Sequence, residues 1–257
     1  GIPEFPSYRT VEETYDDLAN LAEDNPEIVN LVDIGDSYDK VTPNGAEGSD
    51  IYAIELTNKN SGLADEDKPT LYVEGAIHAR EYTTSELVTR FAEDLVEGYG
   101  ENADTTWILD NFKVAVVPIV NPDGRNFAEE GFLWRKNTNP NPPPEEEAAP
   151  FPEYGVDLNR NFDEKWGEIE GGSSNDPAKF DYRGTEAFSE PETQAVRDYV
   201  TSLFPDREEL GFEAAPNDTA GVFLDVHSFG NLALYPFSWT ELPAGNKKEL
   251  ETLGRKF

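Results

Sequence analysis

Thr70-Leu71-Tyr72-Val73-Glu74-Gly75-Ala76-Ile77-His78-Ala79-Arg80-Glu81-Tyr82-Thr83-Thr84-Ser85 changes its hydrophobic period within a few residues. Thr70 to Ala76 reads as a strand, and after Ser85 the residues Leu87, Val88, Phe91, Leu95, Val96 and Tyr99 recur at helical spacing. A strand therefore feeds directly into a helix around residues 77 to 84, which is the repeating step of an α/β sheet.

The flanks extend the same pattern. Upstream, Ile51 to Thr57 reads as a second strand, and Thr10 with Glu13 forms a capping-box pattern ahead of Tyr15, Leu18 and Leu21, a helix that ends before Pro26. Downstream, Lys113 to Val120 is a β-branched run closed by the turn sequence Asn121-Pro122-Asp123-Gly124, and Gly221 to Val226 is a shorter apolar run; both read as buried strands. Ser189 with Pro191 and Glu192 starts a helix carrying Val196, Tyr199, Val200 and Leu203, and a further helix begins at Asn246. Pro140, Pro142, Pro143 and Pro144, followed by Glu145, Glu146 and Glu147, read as an extended, charged surface loop. The expectation is one α/β domain over residues 1–257, a largely parallel twisted sheet flanked by helices.

Composition narrows the partners. With 53 acidic and 20 basic residues the formal charge is -33, which excludes nucleic acid and an anionic membrane surface as favoured partners because both require positive charge. Such an excess repels itself at low ionic strength and is relieved by concentrated salt, so a halophilic source is expected, with an acidic secreted protein of scattered carboxylates as the alternative. There are no cysteines, so a disulfide framework and a thiolate metal site are both excluded. Phe112 to Val120, the longest strongly apolar stretch, is too short to cross a bilayer and is interrupted by Pro118. Methionine is absent even from the first position, so Gly1 reads as a processing or expression boundary rather than a translation start, compatible with removal of a signal peptide.

The chain holds two histidines, His78 and His227, and each closely follows an expected strand, where open α/β sheets place ligand sites. A lone histidine is more commonly a structural residue than a ligand. Here His78 and Glu81 stand three residues apart, a spacing at which imidazole and carboxylate converge on one ion if the turn is helical. His227 would add a third donor from a distant strand end. Two imidazoles, one carboxylate and an open position for water make up the composition of a catalytic zinc site.

Five ordered motifs carry a resemblance. His78-Ala79-Arg80-Glu81, Asn121-Pro122-Asp123-Gly124, Leu133-Trp134-Arg135-Lys136, Asp157-Leu158-Asn159-Arg160-Asn161 and His227-Ser228 together resemble the zinc carboxypeptidases, the family of pancreatic carboxypeptidase A and bacterial carboxypeptidase T. The resemblance runs from about the first helix to the end of the chain and implies a mixed, eight-stranded sheet flanked by helices. It also implies a zinc ion held by His78, Glu81 and His227, and hydrolysis of C-terminal residues from peptides or proteins. By the same resemblance Arg135 stabilises the oxyanion, Asn159 and Arg160 clamp the substrate's terminal carboxylate, Arg80 adds an outer substrate contact, and Asp157 holds the other ring nitrogen of His78. The roles agree with a guanidinium's paired donors and with the need to fix an imidazole tautomer. For each arginine a surface ion pair is the alternative.

In the family a glutamate on a later strand activates the water and a mobile tyrosine closes over the substrate. Both are expected beyond the end of this chain, which stops 30 residues after His227. No motif maps Glu241, Glu249 or Glu251 onto that base, and Phe229 stands where some members carry tyrosine. The chain is therefore expected to be C-terminally incomplete and weak or inactive in catalysis, with a non-catalytic domain that binds zinc and peptide C-termini as the alternative.

Overall fold

A computed structural model describes residues 1–42, 47–140, 154–204, 212–214, 216 and 219–256. The expected Pro/Glu loop lies, from Pro142 to Glu147, outside the described residues. In chain order the elements are α1 (Val11–Asp24), β1 (Val29–Asp36), the short α2 (Tyr38–Val41), β2 (Asp50–Leu56), β3 (Thr70–Glu74), α3 (Tyr82–Gly98), α4 (Ala103–Asn111), β4 (Lys113–Val117), α5 (Pro122–Glu129), α6 (Pro191–Leu203), β5 (Val222–Asp225) and α7 (Lys247–Gly254).

The strands form a mixed sheet in the order β1-β2-β4-β3-β5. The β1-β2 and β2-β4 ladders are antiparallel, and β3 is parallel to both β4 and β5. Helices cover both faces. Ile54, Leu56, Val73, Val114 and Val116 pack with Leu18, Val88, Ala92, Leu95 and Leu109, while Ile51, Ala53, Tyr72, Ala115 and Val117 pack with Ala195, Val196 and Tyr199. Neighbours along each strand thus point into opposite cores, which is why the central strands read as unbroken apolar runs rather than as alternating ones. Each fully buried Ile, Leu or Val among them contributes about 1.5–3 kcal/mol relative to exposure.

Local rules set the helix ends. Thr10 Oγ1 accepts from Glu13 N and the Glu13 carboxylate accepts from Thr10 N, so the capping box of α1 is formed in both directions. An expected turn and an expected helix start are both built differently. Asn121-Pro122-Asp123-Gly124 does not end in a turn but opens α5, with Asn121 Oδ1 accepting from Gly124 N at 3.1 Å and Pro122 in the first turn. At α6 the N-cap is Glu190, and Ser189 turns its hydroxyl to the Glu190 carboxylate instead.

β5 departs from the expectation of a buried strand. It pairs only with β3 among the described residues, and its side chains are half-buried or exposed, with Phe223 48% exposed. Among the described residues the strand has a partner on one side only, and an apolar run there keeps its other side open. No helix among the described residues is long and apolar enough to cross a membrane.

Candidate metal centre

From β3 the chain runs to one neighbour, β4, whereas β5 lies on the other side of β3. The C-terminal ends of parallel β3 and β5 therefore flank a point where the winding reverses, the place where open α/β sheets leave a crevice. His78 follows β3 and His227 follows β5. The tertiary fold thus brings two imidazoles from remote positions to one edge, with ring centroids 4.8 Å apart.

Close backbone contacts shape the His78 loop. A Cβ on Gly75 would meet the Thr84 backbone at 3.0 Å, so glycine permits the strand end to approach α3. Thr84 Oγ1 accepts from Ala76 N and donates to Glu81 O, both at 2.8 Å, which ties the loop to the first turn of α3. Asn121 Nδ2 donates to Ile77 O and Lys136 O, and Ala79 N donates to Arg135 O. Gly124 lies so close that a Cβ would sit 2.5 Å from Lys136 O. The Asn121–Gly124 motif thus holds the arginine segment against the histidine loop.

Glu81 precedes α3 and sits between the two imidazoles. Its Oε1 is 2.9 Å from His78 Nδ1 and its Oε2 is 3.1 Å from His227 Nδ1, with Ser228 N donating to Oε2 at 3.0 Å. One donor atom from each of His78, Glu81 and His227 lies within 4.8 Å of the others. Two imidazoles and a carboxylate converging in this way fit a zinc ion, since catalytic zinc sites take three such protein ligands. The other ring nitrogen of His78, Nε2, is 3.1 Å from Asp157 Oδ1, which gives that imidazole a carboxylate on its outer side.

Asp157 is fully buried and serves two groups. Its Oδ2 accepts from Arg135 Nε at 3.1 Å and Nη2 at 2.8 Å. Arg135 Nη1 then lies 3.3 Å from His78 Nδ1, on the same side as the converging donors. Burial acts to raise the Asp157 carboxyl, but its bond with His78 and the nearby charges of His78, Arg135 and Arg160 hold it below the ordinary carboxylate range.

Asn159 and Arg160 lie on the 3-10 turn that follows Asp157. Asn159 Nδ2 is 3.0 Å from His227 Nε2. Arg160 donates through Nη1 to the Asn159 carbonyl at 2.8 Å, and its buried Nε has no hydrogen-bond partner among the described residues. Arg80 is exposed to solvent. Glu251 belongs to α7 and meets Lys247 and Tyr235 rather than the histidines.

The family model described as zinc carboxypeptidase matches residues 14–257. This chain belongs to the zinc carboxypeptidases. Carboxypeptidase B of Helicoverpa zea is 34% identical over 252 residues, covering 97% of this chain and 51% of that protein. Carboxypeptidase A1 of Bos taurus is 29% identical over 252 residues, 98% of this chain and 52% of its own. The crystal structure of carboxypeptidase A from Helicoverpa armigera superposes with a TM-score of 0.74 at 28% identity, over 97% of this chain and 52% of that one. The chain thus spans about half the length of the curated relatives it matches.

Two carboxylates of this zinc carboxypeptidase site escape a motif-based reading. Asp225 Oδ2 is 2.7 Å from His227 Nε2, and Glu74, paired with Asp225 across the β3-β5 ladder, is 1% exposed and accepts from Tyr72 OH at 2.5 Å. Burial, and next the Asp225 carboxylate, push Glu74 up to about 8. Partial burial opposes the charged form of His227, but the Asp225 and Glu81 carboxylates outweigh it and raise the imidazole to about 10. Glu81 shows the reciprocal effect: burial acts upward, and the bonds from His227 and His78 bring it down to about 2. The Asp-x-His spacing of Asp225 and His227 at a strand end was the available sequence signal, since alternate residues of a strand share a side.

Proposed function

We propose that this protein is a secreted metallocarboxypeptidase, with residues 1–257 as part or all of one catalytic domain, acting on peptide or protein C-termini. His78, Glu81 and His227 hold the zinc ion. When bound, zinc supplies Lewis acidity to the scissile carbonyl and lowers the pKa of water. Arg135, fixed by the Asp157 carboxylate, offers its remaining N–H groups to the oxygen on which negative charge develops. Asn159 and Arg160 bind the substrate's terminal carboxylate, and Arg80 contributes an outer contact from the exposed side.

The observation that carries this proposal is the convergence of the His78, Glu81 and His227 donors next to the Asn159-Arg160 turn, where Asn159 reaches His227 and the buried Nε of Arg160 has no hydrogen-bond partner among the described residues. A planar guanidinium with a spare N–H suits a carboxylate better than a neutral amide. The test is mass spectrometry of a peptide pool incubated with the zinc-loaded protein. Slow stepwise loss of C-terminal residues, abolished by a chelator, is the expected result; cleavage at internal bonds would overturn the assignment, and bound zinc with no trimming at all would favour the non-catalytic domain that binds zinc and peptide C-termini. Changing Arg160 to Ala should weaken peptides with a free C-terminal carboxylate by about 10- to 100-fold, the worth of charged hydrogen bonds, and leave C-terminally amidated peptides nearly unchanged. Equal losses for both would remove Arg160 from the clamp.

A salt-rich working medium is part of the proposal and is supported by the formal charge of -33. Screening contracts from about 10 Å at 0.1 M salt to about 3 Å at 1 M. The thermal midpoint should therefore climb as sodium chloride is raised through that range. A midpoint independent of salt would count against a halophilic source.

A further inference from the structure

We propose that Asp225 is a positioning residue for His227, selecting the ring tautomer in which Nδ1 is free to bind zinc. This rests on the zinc site proposed above and adds a residue to it. The two nitrogens of His227 face different partners: Nδ1 is directed at Glu81 Oε2 and Nε2 at Asp225 Oδ2, 3.1 and 2.7 Å away. A neutral imidazole carries one proton. If that proton is on Nε2 and donated to Asp225, the Nδ1 lone pair points inward as a ligand. If it is on Nδ1, the ring cannot bind the metal through that atom.

A second group competes for the same nitrogen. Asn159 Nδ2 lies 3.0 Å from Nε2, and an amide N–H can donate to Nε2 only when Nε2 carries no proton. Asn159 therefore favours the non-ligating tautomer and Asp225 the ligating one. Asp225 has the advantage, since its contact is shorter and a carboxylate is the stronger acceptor. The backbone holds Asp225 in register: Val226 N donates to Glu74 O at 2.9 Å, and Asp225 pairs with Glu74 in the β3-β5 ladder. Its Oδ1 is buried without a hydrogen-bond partner among the described residues, so the contact to His227 Nε2 is the one that orients the carboxylate there. With Asp157 behind His78, both imidazoles are then backed by carboxylates.

The experiment measures zinc affinity by chelator competition in the parent protein, Asp225→Ala and Asp225→Asn, with His227→Ala as control. Long-range proton–nitrogen NMR spectra of the same zinc-loaded samples report the ring tautomers, and the parent contributes only two imidazoles. Asp225→Ala is expected to bind zinc about 10- to 100-fold more weakly, the usual effect of removing a ligand's hydrogen-bond partner. Asp225→Asn, which keeps a neutral acceptor and the side-chain shape, should lose less than Asp225→Ala and retain the Nε2–H signal of His227. If Asp225→Ala does not fold by circular dichroism, the Asp225→Asn affinity decides: a several-fold loss supports the proposal and parental affinity overturns it. Parental affinity in a folded Asp225→Ala also overturns it while leaving the zinc site intact. A parent protein that takes up no zinc, or no more than His227→Ala does, would overturn the zinc site and this inference together.

Discussion

His227→Ala is expected to lose zinc by a larger factor than any substitution outside the three donors. Removing an outer hydrogen-bond partner weakens a metal site by about 10- to 100-fold, so removal of a donor should exceed about 100-fold. The reason is geometric as well as numerical. His227 is the donor that arrives from β5, and it reaches Glu81 across 146 residues of sequence. Without it, His78 and Glu81 remain as a pair of adjacent donors on one turn, a weak and poorly selective site. The fold should survive, because the side chain of His227 is 36% exposed and belongs to no apolar core. Zinc content after dialysis, measured by elemental analysis alongside circular dichroism, checks the expectation. Near-stoichiometric zinc in a folded His227→Ala protein would remove His227 from the donor set.

Asp157→Ala is expected to damage stability and metal binding together. The Asp157 carboxylate is completely buried and simultaneously holds His78 Nε2 and two nitrogens of Arg135. Its loss leaves a guanidinium that is 14% exposed without its counter-charge. Breaking a buried pair by removing one partner costs about 3–5 kcal/mol, and the partial exposure of Arg135 places the expected loss at about 3 kcal/mol, the lower end of that range. The same change frees the His78 ring to rotate, so zinc affinity should fall by about 10- to 100-fold as well. Denaturant unfolding with and without zinc separates the two effects. A stability loss under about 1 kcal/mol, within the range of exposed ion pairs, would show that Asp157 and Arg135 are not coupled as the structure implies.

Local signals served well wherever the determining contacts were local. The capping box of α1 and the His-x-x-Glu pair each join residues three apart, and both are present as expected. The turn assigned to Asn121–Gly124 was a helix start because an Asn-Pro-Asp-Gly sequence fits either use, and the side-chain acceptor of Asn121 decides between them only once α5 packs. β1 was illegible for a different reason: its residues are mostly half-buried or exposed and follow no clean alternation, so neither period emerges. β5 was found, and among the described residues it is less buried than expected because its side away from β3 carries no partner there.

The sequence by itself determined the α/β class, the donor chemistry of a zinc carboxypeptidase and the ordered motifs that supply it. These depend on residue type and on spacings of a few residues, which survive in one dimension. Only the tertiary structure decided that Glu81 lies between the two Nδ1 atoms, that Asp157, 79 residues from His78, also fixes Arg135, and that Asp225 backs His227. Those pairings arise where β3 and β5 run parallel and end side by side. β3 and β5 are neighbours in the sheet although far apart in the chain, so no local spacing announces their pairing.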